Sequence, residues 1–314
     1  MFRLRFPFAV TCLISVLCGQ PCFADITIRL KNAFISKYKN RATIVDSCFI
    51  DKAHKQPNPP AKDADIHIAG RCREAGLATV AEIMNAKGQD DALALVKNAA
   101  ALEQQTRVSI TGAWRLWCEH GGSSTQLQGT ALPDRFTTTN PDHVFEIHPV
   151  IRIGDVDVTP TFHTIEGFTE KDAMQAFTAY ERTRFRIRRT ATTTTILTSM
   201  AGYNYVKFII ELNEDPKTIT DGFHVYATIR DLQDEILVRN RRTVFVAGTK
   251  PAEVLAGMKK GWRVTVLGIP RIDLSLVEWR GKNGAAHPEV LDWDLPYEMV
   301  IVGTYGDPEP PQEE

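Results

Sequence analysis

The chain has 314 residues, with 37 lysines and arginines against 38 aspartates and glutamates, for a net charge of −1. That balance gives no global reason to bind a polyanion, so any basic surface must be local. No P-loop, G-x-S-x-G, H-E-x-x-H or dinucleotide fingerprint occurs, which argues against an ATP-driven or redox enzyme.

Residues 1–24 read as a secretory signal peptide. Arg3 and Arg5 precede an apolar stretch from Phe6 to Cys18, and Ala24 is a small residue at the expected cut before Asp25. The apolar stretch is too short to cross a bilayer, and no later segment is long and apolar enough to do so. An exported product, periplasmic or secreted, is expected. Cleavage removes Arg3 and Arg5 and no acid, leaving 35 bases against 38 acids. Cys48, Cys72 and Cys118 remain. In an oxidising compartment one pair is expected to bridge and the third to stay free, and no C-x-x-C supports a cysteine zinc site.

From Arg41 to Asp51 the chain is rich in β-branched and aromatic residues, hence a strand, and Gln56–Pro60 breaks it as a loop. Asp65–Gly70 alternates polar and apolar residues as a second strand, and Thr79–Met84 is a third. An Ala/Leu-rich helix is predicted over Asp90–Glu103, then strands over Arg107–Trp117 and Val144–Ile153. This β-β-β-α-β-β order, with the helix between strands three and four, is that of an OB-fold barrel. Trp114 and Trp117 are expected on opposite faces, one in the core and one over the barrel end.

Thr169–Thr183 reads as a connecting helix capped by Thr169, with Ala173, Phe177 and Tyr180 along one stripe. Beyond it the first order of elements returns: one long strand over Thr192–Leu212, then Phe223–Arg230, Thr243–Gly248, a helix over Pro251–Met258, and strands over Trp262–Leu276 and Tyr297–Tyr305. Trp279 and Trp293 read as packing residues, and Asp307–Glu314 as a disordered acidic tail. The repetition extends to motifs. Val108-Ser-Ile-Thr-Gly112-Ala-Trp-Arg115 recurs as Val264-Thr-Val-Leu-Gly268-Ile-Pro-Arg271, and Asp65-Ile-His67 has a partner in Asp221-Gly-Phe-His224. Gly112 to Gly268 is 156 residues and His67 to His224 is 157, close to a whole domain. The predicted fold class is therefore mainly β, two tandem OB-like five-stranded barrels joined by a helix. They are placed at 41–155 and 190–306, with the helix and an arginine-rich strand over 156–189.

Asp65-Ile-His67, Ala81-Glu82-Ile83, His120 and Glu146-Ile-His148-Pro149-Val150 together resemble small exported bacterial proteins of unassigned activity. Those show a D-x-H strand, an A-E-I strand and a terminal E-[IL]-H-P-V. The resemblance covers roughly residues 42–153 and implies an OB-like barrel in an exported protein, without lending it a chemistry. The second repeat has no equivalent of His148.

Two sites are predicted. Asp65 and His67 lie two apart on one strand and share a face, as do Glu146 and His148 on another; Glu82 is expected beside them and His120 nearby. Imidazoles with carboxylates suit a divalent ion such as zinc. His67, Glu82 and His148 are the candidate catalytic residues of a metal-dependent hydrolase, with phosphodiesters as the candidate substrate, and Asp65 and His120 are further candidate ligands. The same pairs also arise whenever a strand needs a polar face. The second site is a binding surface. Arg184, Arg186 and Arg188 alternate with Phe185 and Ile187, and Tyr226 and Arg230 share a face of the second barrel. These arginines and the tyrosine suit an anionic ligand: an oligosaccharide, a nucleic acid or a protein partner. A binding module with this surface is the leading expectation, the hydrolase is the alternative, and a purely structural envelope component is the third reading.

Overall fold

The computed structural model describes residues 26–102, 106–122, 125–199, 201–284 and 291–311; the expected signal peptide lies outside them. The chain opens with β1 (Ile26–Lys31) and α1 (Asn32–Tyr38). The first repeat supplies β2 (Thr43–Ala53), β3 (Ile66–Cys72), β4 (Ala78–Ile83), α2 (Asp90–Ala101), β5 (Val108–Leu116), β6 (Thr125–Leu127), β7 (Phe145–Ile153) and β8 (Val156–Asp157). Next come α3 (Ala173–Arg182), β9 (Arg184–Arg189) and β10 (Thr193–Thr198). The second repeat holds β11 (Val206–Leu212), β12 (Lys217–Ile219), β13 (Gly222–Arg230), β14 (Ile236–Val246), α4 (Lys250–Ala256) and β15 (Arg263–Ile272). It ends with α5 (Leu274–Asn283), β16 (Leu291–Asp294) and β17 (Tyr297–Glu309).

The mainly β reading holds, and both repeats form barrel-like rings. In the first, β2 pairs antiparallel with β3 and β5, β3 with β4, and β5 with β7, while β4 and β7 close the ring in parallel. In the second, β11, β13, β14, β17 and β15 pair in the same order, with β14 and β17 the parallel pair. That is the order of an OB-fold barrel. Gly112 and Gly268 both sit at register shifts of these rings. At Gly112 a side chain is excluded outright, since a Cβ would lie 2.5 Å from the Pro149 carbonyl oxygen and 2.8 Å from the Val150 Cα.

A third sheet, ordered β16-β9-β10-β1-β6, was not anticipated and corrects several expectations. The predicted strand over 192–212 is two strands in different sheets: β10 joins the third sheet, and the second barrel starts only at Val206. The arginine strand β9 likewise pairs in the third sheet and does not lead into the second barrel. β6, inside the first-barrel boundaries, pairs with β1 instead. The stretch after β15 turns helical as α5, because Asp273 caps it by accepting from the backbone N–H groups of Ser275 and Leu276. Trp279 lies on that helix and is 56% exposed, so it is no packing residue; the Trp293 side chain lies outside the described ones. α3 is capped by Asp172, which accepts from Gln175 N at 2.8 Å, and not by Thr169. Asp307 and Glu309 belong to β17, not to a tail.

The barrels pack wall to wall. Alternation sends Ile66, Ile68, Ala81, Ile83 and Ile147 into the first barrel's core and leaves Asp65, His67, Glu82, Glu146 and His148 on its outer wall. Against that wall lies an apolar layer that includes Met84, Ala113, Val244, Val300, Leu267 and Ile269. Both tryptophans are buried: Trp114 under the Arg271 guanidinium, 3.6 Å from the ring centre, and Trp117 edge-on to Tyr180. Cys48 and Cys72 face each other across β2 and β3 and are bridged, while Cys118 is free and buried.

Candidate functional site

β3, β4 and β7 lie side by side, so the D-x-H, A-E-I and E-I-H-P-V strands meet on one wall. His67 stands opposite Glu82, with Nε2 3.7 Å from Oε1. Val80 stands opposite Glu146 in the parallel pair, and two residues on, Glu82 Oε2 is 3.3 Å from His148 Nδ1. The same nitrogen is 3.4 Å from Glu146 Oε2, and His148 Nε2 is 3.4 Å from Asp65 Oδ2. Donor atoms of Asp65, Glu82 and His148 all lie within 4.8 Å of one another. The second barrel closes the cluster: Tyr205, just before β11, donates to Asp65 Oδ2 at 2.6 Å and lies 2.8 Å from His148 Nε2.

Arg115 is fully buried and paired with Glu146; it also meets Glu119 at 3.3 Å. His143 Nε2 lies 3.2 Å from Glu146 Oε1. Electrostatics follow from this crowding. Burial pushes the Asp65 and Glu82 carboxyls up, Glu82 well above the usual range. Burial also works against charge on Glu146, but Arg115, His143 and His148 override it and hold that carboxyl well below its ordinary value. Burial opposes a charged His148, yet Glu82, Asp65 and Glu146 hold it well above the usual histidine value. His67 goes the other way, down to about 4, through burial and then His54, whose ring stacks on it at 4.7 Å.

Four of the five predicted ligands therefore converge: Asp65, Glu82 and His148 as one cluster, with His67 at its margin. His120 does not join them. It stacks on His143 at 5.2 Å, and His143 in turn meets Glu146. Tyr205, Arg115 and His143 were missed. Arg115 carried a signal, the repeated arginine of the V-x-[IV]-x-G-x-x-R motif, while Tyr205 stands far away in sequence and carried none.

Arg184, Arg186 and Arg188 are exposed on one face of β9, with Phe185 and Ile187 buried beneath. Arg188 is in line with Thr195 and Arg29, and Arg186 with Leu197 and Thr27, so Arg29 and Lys31 extend the basic face. Asp294 meets Arg184 at 3.3 Å where β16 pairs with β9. Tyr226 and Arg230 lie apart, on β13 in another sheet; Arg230 is held by Glu211 at 2.9 Å and Asp234 at 3.6 Å.

Among the described residues, no helix is long and apolar enough to cross a membrane. No family model matches the chain, and no curated protein sequence matches it.

Proposed function

We propose that this protein is an exported, two-barrel binding module that presents the outer face of its third sheet to an extended anionic chain, a glycan or a nucleic acid strand. One observation carries the reading. Arg184, Arg186 and Arg188 stand exposed in a row, with Arg29 and Lys31 two strands away across a surface of Thr27, Thr195 and Leu197. Arginines two residues apart on a strand repeat about every 6.7 Å, a regular row of cations over a low surface. Such a row suits a repeating polyanion better than a compact ligand, since the planar guanidinium fork matches two anionic oxygens at once. Export is supported by the Cys48–Cys72 bridge, which persists in oxidising compartments, as well as by the N-terminal sequence.

The hydrolase reading has less support because the candidate donors are closed in. Asp65, Glu82 and His148 are 1%, 5% and 0% exposed, and the second barrel packs over them.

The test is retention on heparin and on a fluorescent single-stranded oligonucleotide, comparing the wild-type chain with Arg184→Gln/Arg186→Gln/Arg188→Gln. Loss of binding to at least one polymer at moderate salt is expected. Equal retention of both polymers by the two proteins would sink the proposal.

A further inference from the structure

We propose that Asp65, Glu82 and His148, all on the outer wall of the first barrel, form a zinc site that the second barrel closes over at the seam between the two.

Four observations point there. First, the three side chains bring donor atoms within 4.8 Å of one another. One zinc at about 2.0–2.2 Å from two carboxylate oxygens and an imidazole nitrogen closes those gaps by small side-chain rotations. Second, Asp65 Oδ1 is buried with no hydrogen-bond partner, in a residue 1% exposed. A stranded buried carboxylate oxygen is costly, and a metal ion is one of the few things that satisfies it.

Third, the permanent charges are unbalanced. Asp65, Glu82 and Glu146 bring three carboxylates together, and the permanent cation beside them, Arg115, is taken by Glu146 and Glu119. Among the described residues, no lysine or arginine lies within ion-pair distance of Asp65 or Glu82; their ion-pair partners are histidines. A divalent ion supplies the missing charge.

Fourth, the fold does not demand polar groups here. Arg115 stands opposite Glu146 in the first ring as Arg271 stands opposite Glu298 in the second. Two residues beyond each glutamate, His148 corresponds to Val300; Val300 pairs with Val244, the counterpart of Glu82. Both valines pack in the apolar layer between the barrels. A seam that valines serve on one side carries a carboxylate and an imidazole on the other, which marks a ligand and not a packing need.

Tyr205 gives the site its reach across the seam. Its hydroxyl bridges Asp65 and His148 from the second barrel, orienting both as outer hydrogen bonds orient metal ligands. An ion enters past His54 and His67, whose rings stack at the margin and whose Nδ1 atoms both lack partners, with His67 Nε2 leaning toward Glu82. Zinc fits this mixed nitrogen and oxygen set better than magnesium or calcium, which favour all-oxygen shells.

The full chain, exported and purified without chelator or histidine tag, is analysed for metal by mass spectrometry. After chelator treatment and dialysis it is titrated with zinc chloride by calorimetry, with thermal unfolding alongside. About one equivalent of zinc is expected, together with a Tm several degrees higher with zinc than with EDTA. Glu82→Gln and His148→Gln should each weaken zinc binding by 100-fold or more, roughly the cost of losing a ligand outright rather than its outer support. Should either variant fail to fold, as judged by circular dichroism, the wild-type titration decides alone. No bound zinc and no calorimetric response in the wild type overturns the proposal, as does undiminished zinc binding in both folded variants. Neither result touches the arginine face, whose polyanion binding is read separately.

Discussion

Arg115 and Arg271 reach across the seam between the barrels in mirrored fashion. Arg115 donates through Nε to the Pro270 carbonyl at 2.9 Å, and Arg271 donates through Nη1 to the Trp114 carbonyl at 2.9 Å. Each is fully buried, each pairs with a glutamate of its own barrel, Glu146 or Glu298, and each takes hold of the residue just before its counterpart. The repeated arginine is thus the fastener of a pseudo-twofold interface. Asp221 takes part in the same scheme: it accepts from Ala42 N at 2.7 Å and Thr43 N at 2.9 Å at the start of the first barrel, as Asp65 accepts from Tyr205 at the start of the second.

Arg115→Met or Arg271→Met should each destabilise the chain by about 3 kcal/mol, because a buried glutamate loses its closest cationic partner. The double variant should cost less than the two singles added, by about 0.5–3 kcal/mol, if both act on one interface. Urea unfolding followed by circular dichroism measures this, and simple additivity would mean two independent sites.

Gly112→Ala and Gly268→Ala should differ although the motif is the same. At Gly112 the added Cβ meets backbone, the Pro149 oxygen and the Val150 Cα. At Gly268 it meets the Phe208 ring at 2.9 Å, and a ring can shift. A loss of about 3 kcal/mol or more is expected for the first and about 1 kcal/mol for the second, by thermal or urea unfolding.

The arginine face should be separable from stability. Arg184, Arg186 and Arg188 are exposed, so each Gln substitution should move stability by no more than about 0.5 kcal/mol. The slope of log affinity for the oligonucleotide against log salt should flatten by about one for each arginine that contacts a phosphate. An unchanged slope with weakened binding would indicate a contact other than charge.

Glu278 ties α5 to α1, accepting from Ser36 Oγ at 2.6 Å and pairing with Lys39 and with Lys282 at 3.1 Å. Burial works against its charge, but these partners win and hold the carboxyl down to about 2, from an ordinary 4.5. A carboxyl with a depressed folded value stabilises fully above its unfolded value and loses that contribution as pH falls from about 4.5 toward 2. Glu278→Gln should therefore cost roughly 2 kcal/mol at pH 7, with the gap to wild type closing across that window. A gap of constant size from pH 7 to pH 2.5 would show that charge at Glu278 is not its source.

Reduction of the Cys48–Cys72 bridge, which spans 24 residues of sequence, should cost about 3 kcal/mol by releasing loop-closure entropy into the unfolded chain. The comparison is Cys48→Ala/Cys72→Ala against wild type. An equal Tm for the two proteins would place the loop ends together without the bridge.

Much of this was legible in the residues themselves. Period-two alternation in Ile66–Cys72, Phe145–Ile153 and Arg184–Arg189 depends only on neighbouring side chains, so it identified strands and faces alike, including the exposed arginines. The repeated Gly and Arg spacing announced two related barrels, and the H-P-V strand announced His148 beside Glu82 once the OB order was assumed. The third sheet was hidden because its strands come from residues 26–31, 125–127, 184–198 and 291–294, and no local pattern states which distant segments will pair. That β10 ends at Thr198 and β11 begins at Val206 was hidden by β-favouring residues on both sides.

The residues by themselves determined the β class, the internal duplication, the single bridge with one cysteine left over, and which side chains share a face, since each follows from local periodicity or from counting. Tertiary structure decided which wall of the first barrel the second covers, and with it the rest. That packing buries Asp65, Glu82 and His148, turns Tyr205 toward them, and leaves Arg184, Arg186 and Arg188 in solvent. Burial and partnership are properties of the whole packed molecule, because they depend on contacts between segments more than 100 residues apart, such as Tyr205 with Asp65 and Arg271 with Trp114.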